Sequence, residues 1–153
     1  MAITVGTRAP AFTLKDNRGK EVSLSDFTGK RVLLSWHPLA WTGVCSEQMK
    51  ALEAHRDALA GLNTVALGIS VDSVPCKNAW AKELKIAETR LLSDFWPHGG
   101  VAKRYGIFRE KEGFAERSTI VVDENGTVTW VKLYNIPQLP DIEEILAFLG
   151  EQG

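Results

Sequence analysis

Two thiols, Cys45 and Cys76, are the side chains whose chemistry is least explained by packing alone. Cys45 closes the stretch Pro38-Leu-Ala-Trp-Thr42-Gly-Val-Cys45, after the apolar run RVLLSW (31–36) and before a helical pattern. A thiol in the first turn of a helix meets unpaired N–H groups and the positive end of the helix dipole, and both favour thiolate over thiol. The thiolate is the nucleophile, so such a placement activates the sulfur. Thr42 can cap the helix or hydrogen-bond a substrate oxygen beside the sulfur. Pro38 fixes the approach of the loop and removes a competing N–H. Gly43 lets the backbone come close to a bound molecule, and an N–H at Val44 or Cys45 can hold an oxyanion. The plain alternatives are a small core cysteine and a simple threonine N-cap. Cys76 follows Pro75 and opens a second helical stretch, so it too meets a helix N-terminus.

The elements that must position these thiols are legible from periodicity. FTL (12–14) and EVSL (21–24) flank the turn cluster DNRGK and form a small hairpin. RVLLSW and TVALGISV (64–71) have the length and apolarity of strands buried on both faces. Between them, Leu52, His55, Leu59 and Leu62 recur at helical spacing over 43–62, with His55 read as a core histidine. Residues 76–85 are helical with Ala79, Trp80 and Leu84 on one side. LLSD (91–94) is a short strand, and Asp94 can cap the helical turns of VAKRYGIF (101–108). STIVVDENGTVTWVKL (118–133) folds as two strands around a type I′ turn at Asn125-Gly126. A last helix opens at Asp141 with Glu144 as capping-box partner, and Ile142, Ile145, Leu146 and Leu149 form its apolar face. Three β-α units, a hairpin and a final helix make an α/β chain with a mixed sheet: a thioredoxin-like fold with an N-terminal β-hairpin extension. Residues 1–153 read as one domain. In a β-α-β unit with parallel strands both helix starts lie at one end of the sheet, so Cys45 and Cys76 share a face.

Composition narrows the function. The 153 residues are 44% apolar and 24% charged, as expected of a globular protein with a real core. The net charge of −1, without a run of Lys or Arg, argues against nucleic acid or an anionic membrane as partner. No apolar stretch is long enough to span a bilayer, and MAITVGTRAPAFTL does not read as a secretory signal. Two cysteines do not make a disulfide scaffold, which points to a reducing cytoplasm. Three scattered histidines lack metal-ligand spacing, no Gly-rich phosphate loop is present, and no cofactor is expected.

The stretch from Pro38 to Cys45 resembles the P-x-x-x-T-x-x-C active-site motif of peroxiredoxins, in the strand–loop–helix context that family requires. GTRAPAFTL, GISVDSVPCKNAW and ERSTIVVDENG resemble further segments of the family, and LLSDFWPHGGVAKRYGIF resembles AhpE-like members. The likeness covers nearly the whole chain. It implies a thiol-dependent peroxidase that reduces hydrogen peroxide and alkyl hydroperoxides. By this resemblance Cys45 is the peroxidatic cysteine, attacking the terminal peroxide oxygen to become a sulfenic acid. Thr42 hydrogen-bonds the peroxide, Pro38 shields the sulfenate, and Arg117 brings a cation to the sulfur. Some relatives carry a resolving cysteine where Cys76 stands, which implies an intramolecular disulfide recycled by a thioredoxin-like or low-molecular-weight thiol reductant. The family often pairs as homodimers. Two positions depart from the pattern: His37 stands where relatives often carry an aromatic residue, and Gln48 where many carry Glu. His37 can tune the sulfur, relay a proton or simply pack.

Other readings of the same residues compete. A thioredoxin-type disulfide reductase needs C-x-x-C, and position 48 is Gln. A Cys–His hydrolase needs a histidine on Cys45, for which His37 is the near candidate. A redox sensor or chaperone-like module would use the same thiol without turnover. A one-cysteine peroxidase would leave Cys76 a bystander. Trp36, Trp41 and Trp80 are candidates for an apolar collar around the peroxide.

Overall fold

The computed structural model describes residues 1–152. Seven strands form one mixed sheet: β1 (Thr13–Lys15), β2 (Glu21–Ser23), β3 (Arg31–Trp36), β4 (Thr64–Ser70), β5 (Arg90–Ser93), β8 (Arg117–Val122) and β9 (Val128–Tyr134). Their order across the sheet is β2-β1-β5-β4-β3-β8-β9. The centre, β3-β4-β5, is parallel, while β8, β9 and the β1–β2 hairpin run antiparallel to their neighbours. The expected thioredoxin-like mixed sheet is therefore present, with the N-terminal hairpin added at one edge. A further small hairpin, β6 (Phe108–Arg109) with β7 (Phe114–Ala115), has no counterpart in the sequence reading.

β3 is buried at every position, and its alternation divides the core. Val32, Leu34 and Trp36 enter one cluster with Tyr105, Val101 and Ala102, the last two from α4 (Gly100–Arg104). Leu33 enters the other, with side chains of α1 (Gly43–Ala54), α2 (Arg56–Gly61), α3 (Val74–Leu84) and α5 (Ile142–Gln152). Cys45 lies in this second cluster.

Several local expectations need correction. The helix expected over 43–62 is two, broken at His55, whose ring is part-exposed and donates from Nδ1 to Ala51 O (2.9 Å) rather than filling the core. On α3 the buried residues are Lys77, Trp80 and Ala81, while Ala79 faces out. The β8–β9 turn is not type I′: among its residues only Gly126 has positive φ (+86°). Asp123 accepts the Gly126 N–H and its own N–H reaches Thr127 O, a type I turn followed by a left-handed glycine. The Asp123 carboxylate holds this form by accepting the N–H groups of Asn125 and Thr127. At α5 the capping box is open, because Glu144 pairs with Lys132 (2.7 Å), although Asp141 accepts the Glu143 N–H. Asp94 does cap α4, taking the N–H groups of Val101 and Ala102.

α1 sits close on the sheet because β4 offers Gly68 beneath it. A Cβ there would overlap Met49 Sδ and lie 3.0 Å from Leu91 Cδ2. Gly68→Ala should therefore cost about 1–3 kcal/mol, the usual penalty of overpacking. Urea unfolding monitored by tryptophan fluorescence reads this, and an unchanged midpoint would show that α1 has room to shift.

Candidate active site

β3, β4 and β5 run parallel, so the segments that follow them gather at one end of the sheet. There the chain leaves β3 through His37 and Pro38, both buried, and enters α1 with Thr42 at the N-cap and Cys45 at the third helical position. Cys76 holds the equivalent third position on α3, after Val74 and Pro75. Both cysteines are free thiols; Cys45 is fully buried and Cys76 partly so.

Arg117, at the start of β8, is the residue that meets Cys45. Its Nη1 donates to Cys45 Sγ (3.3 Å) and to Gln48 Oε1 (2.8 Å), and its Nε donates to Ile136 O (2.8 Å). Gln48, one turn beyond Cys45, in turn donates to Ser35 Oγ (2.8 Å) and Trp36 O (3.0 Å). The amide at this departure position thus bonds the arginine where relatives often carry a carboxylate. A neutral amide also leaves the guanidinium charge unshared, where a carboxylate would neutralise part of it beside the sulfur.

Thr42 does not cap α1 with its side chain; its Oγ1 donates to Leu39 O (2.8 Å). That donation leaves the hydroxyl lone pairs available to an incoming O–H. Ser46 closes the turn by donating to Thr42 O, and accepts the Trp80 indole N–H (3.2 Å), which ties α3 to α1. Of the three tryptophans considered as a collar, Trp80 shares the Cys45 cluster and Trp41 is half-exposed. Trp36 points to the opposite core, because its place in β3 has the other parity.

His37 is not paired with Cys45. Its Nε2 takes a hydrogen bond from Lys77 Nζ at 2.7 Å, and its Nδ1 faces Ser35 O. Burial, then the charges of Lys77 and Arg117, hold its pKa well below the usual value, so the ring is neutral. The Cys–His hydrolase arrangement is therefore absent. Lys77 is itself fully buried, and burial brings its ammonium down to about 7 against the opposing pull of Asp72, Cys45 and Cys76. The sequence reading missed this lysine. Its signal was spacing: Lys77, Trp80, Ala81 and Leu84 fall on one helical stripe, three of them apolar.

Cys76 faces Asp72, donating to Oδ1 at 3.8 Å, while Asp72 Oδ2 accepts Ala40 N–H and Ser70 Oγ–H. Burial and then the Asp72 carboxylate push the Cys76 thiol up, with the Trp41 indole opposing. His98 has a structural place: its Nε2 donates to Gly113 O (2.7 Å), and its ring meets Phe108 edge-on. A groove of about 580 Å³ lies at the opposite end of β3, near Arg8, Phe27, Lys30 and Asp123, and neither cysteine lines it.

A buried thiol at a helix start, under an arginine, on a thioredoxin-like sheet defines a thiol-redox class of enzyme. Comparison with known proteins agrees. The AhpC/TSA family matches residues 5–131. Alkyl hydroperoxide reductase E of Mycobacterium tuberculosis is 40% identical over 132 residues, 86% of each chain. The peroxiredoxin Bcp of Haemophilus influenzae is 39% identical over 135 residues, 84% of this chain and 85% of that one. The crystal structure of the reduced 2-Cys peroxiredoxin of Plasmodium vivax superposes with a TM-score of 0.89 at 30% identity, covering 97% of this chain and 81% of that one. The chain belongs to the AhpC/TSA family, as a peroxiredoxin of the AhpE/Bcp-like kind, and its enzymatic class is thiol-dependent peroxidase.

Arg117→Met removes every bond of this guanidinium. Oxidation of the reduced protein by hydrogen peroxide, followed by stopped-flow tryptophan fluorescence, should slow about 10²–10³-fold, the usual cost of losing a preorganised donor. A loss smaller than about threefold in a folded variant would show that the sulfur does not depend on this arginine.

Proposed function

We propose that Cys45 is the peroxidatic nucleophile for hydrogen peroxide and alkyl hydroperoxides. The observation that carries this reading is the Arg117 Nη1–Cys45 Sγ contact of 3.3 Å at a helix start. In this reading the sulfur attacks the terminal oxygen, the O–O bond breaks, and the products are a sulfenic acid and water or alcohol. Arg117 stabilises the charge that passes from sulfur to the departing oxygen. Thr42 accepts the peroxide O–H while its own hydroxyl stays anchored on Leu39 O. Pro38 covers the sulfur and keeps water from the sulfenate.

Cys76 is the proposed resolving thiol. Support comes from its matching third position on the helix that follows the next parallel strand. The thiolate of Cys76 attacks the Cys45 sulfenic acid, hydroxide leaves as water, and a thioredoxin-like or low-molecular-weight thiol reduces the disulfide. A one-cysteine cycle is the second reading, and the Asp72 carboxylate favours it by disfavouring ionisation of Cys76. We further infer that residues 1–153 act as one domain, in the reducing cytoplasm, and pair as a homodimer. Exposed Leu39, Trp41, Phe95 and Trp96, on segments that follow β3 and β5 at one end of the sheet, support pairing there. No helix among the described residues is long and apolar enough to cross a membrane.

Intact mass after one equivalent of hydrogen peroxide tests the cycle. Loss of two hydrogens within one chain is expected, and Cys76→Ser should instead gain one oxygen. An unchanged mass would remove the peroxidase role of Cys45, and gain of oxygen by the unaltered chain would remove the resolving role of Cys76. Because the Cys76 thiol is pushed up, disulfide formation should accelerate as pH rises. Asp72→Asn withdraws the like charge and should move that profile to lower pH. An unmoved profile would show that Asp72 does not restrain Cys76.

A further inference from the structure

Lys77 and His37 form a buried pair that the steps above do not use. Both side chains are fully buried, their nitrogens are 2.7 Å apart, and no other partner of Lys77 Nζ lies within hydrogen-bond reach among the described residues. A charged lysine is not placed in such a site for packing, since burying an ammonium opposite a neutral imidazole is costly. The pair is flanked by Trp80, whose ring meets His37 at a 43° tilt (centroids 5.4 Å apart) and lies under Lys77 Nζ (5.4 Å). The titratable groups that face it come from every neighbouring element. Asp72 follows β4, Cys76 shares α3, Cys45 stands on α1, and Arg117 of β8 acts on His37.

We propose that Lys77, held on His37, is the proton store of this site and gives up its proton as Cys45 is oxidised. The inference rests on Cys45 being the thiolate that reacts with peroxide. The thiolate charge is one of the forces that keep Lys77 protonated. Converting that thiolate to neutral sulfenic acid removes the attraction, and the ammonium becomes a stronger acid. At the same moment the peroxide releases an alkoxide or hydroxide that needs one proton. The balance is Cys45–S⁻ plus ROOH plus Lys77–NH₃⁺, giving Cys45–SOH, ROH and Lys77–NH₂. The S–O bond forms, the O–O bond breaks, sulfur is oxidised and the peroxide is reduced. When a thiol reductant regenerates the Cys45 thiolate, Lys77 regains its proton from water.

The geometry suits both protonation states. A neutral amine still donates an N–H to His37 Nε2, so the pair survives loss of the proton without rearrangement. His37 stays neutral throughout and accepts in both states. Arg117 cannot serve this way, because a guanidinium does not deprotonate in proteins. Lys77 does not touch the sulfur and acts on it through space, so it is a positioning residue with a proton to give.

The test counts protons. Reduced protein in weakly buffered solution is mixed with one equivalent of hydrogen peroxide at pH 7, and a pH indicator reports proton uptake per Cys45 oxidised. Lys77→Met removes the store, and Lys77→Arg keeps a charge that cannot be released. With Lys77 titrating at about 7, the unaltered protein should take up fewer protons than either variant, by up to about half a proton per turnover. Disulfide formation with Cys76 leaves this difference unchanged, because that step is neutral overall. Equal uptake in the unaltered protein and whichever variant retains its near-UV dichroism would overturn the proposal. Failure of the peroxidase reading itself looks different, since Cys45 would then gain no oxygen and form no disulfide by mass.

Discussion

The site depends on a buried cation with no carboxylate on it. Arg117 is almost fully buried, and its hydrogen-bond partners are a carbonyl, an amide oxygen and a sulfur. A guanidinium removed from water needs compensating charge or well-made hydrogen bonds. Of these partners only the Cys45 sulfur can become an anion. The fold therefore places a fixed positive charge directly against the Cys45 sulfur. Ile136 O orients the fork, and Gln48, itself anchored on Ser35 and Trp36 O, steers Nη1 toward the sulfur. Removing any one of these leaves a buried donor unmatched, so the arrangement is stiff without a salt bridge.

The sheet explains why this can happen beside a second thiol and a second cation. Parallel strands β3 and β4 each end in a short segment that starts a helix, and each helix carries a cysteine at its third position. The two thiols differ in what faces them. Cys45 meets Arg117, whereas Cys76 meets Asp72, and burial together with that carboxylate pushes the Cys76 thiol up. Lys77 follows Cys76 on α3, and both sulfurs pull against the burial that lowers its ammonium. Gly68 and Met49 let α1 approach the sheet closely enough for Gln48 to reach the backbone of β3.

Much of this was legible in the chain itself. The apolar runs of β3 and β4 and the spacing from Pro38 to Cys45 are local, and local patterns survive folding. Arg117 was legible only through resemblance, because the chain that separates it from Cys45 carries no periodic link. Features settled by competition between partners were not. Glu144 had Asp141 close in sequence, but Lys132 of β9 offered a charge, and the capping box opened. Asn125-Gly126 has the composition of a type I′ turn, but the Asp123 carboxylate gathers two N–H groups and selects another form. His55 has core spacing, yet a helix break turns it outward. His37 and Lys77 lie on different elements, and only the crossover from β3 to α3 brings them within 2.7 Å.

Environment, not exposure, should decide which sulfur reacts. Cys45 is fully buried and Cys76 is the more exposed of the two. The direct measurement treats the reduced protein with peroxide well below one equivalent in the presence of a sulfenic-acid trap, then maps the adduct by peptide mass spectrometry. The adduct is expected on Cys45 alone. An adduct first on Cys76 would contradict it, because reactivity would then follow access to solvent rather than the Arg117 contact.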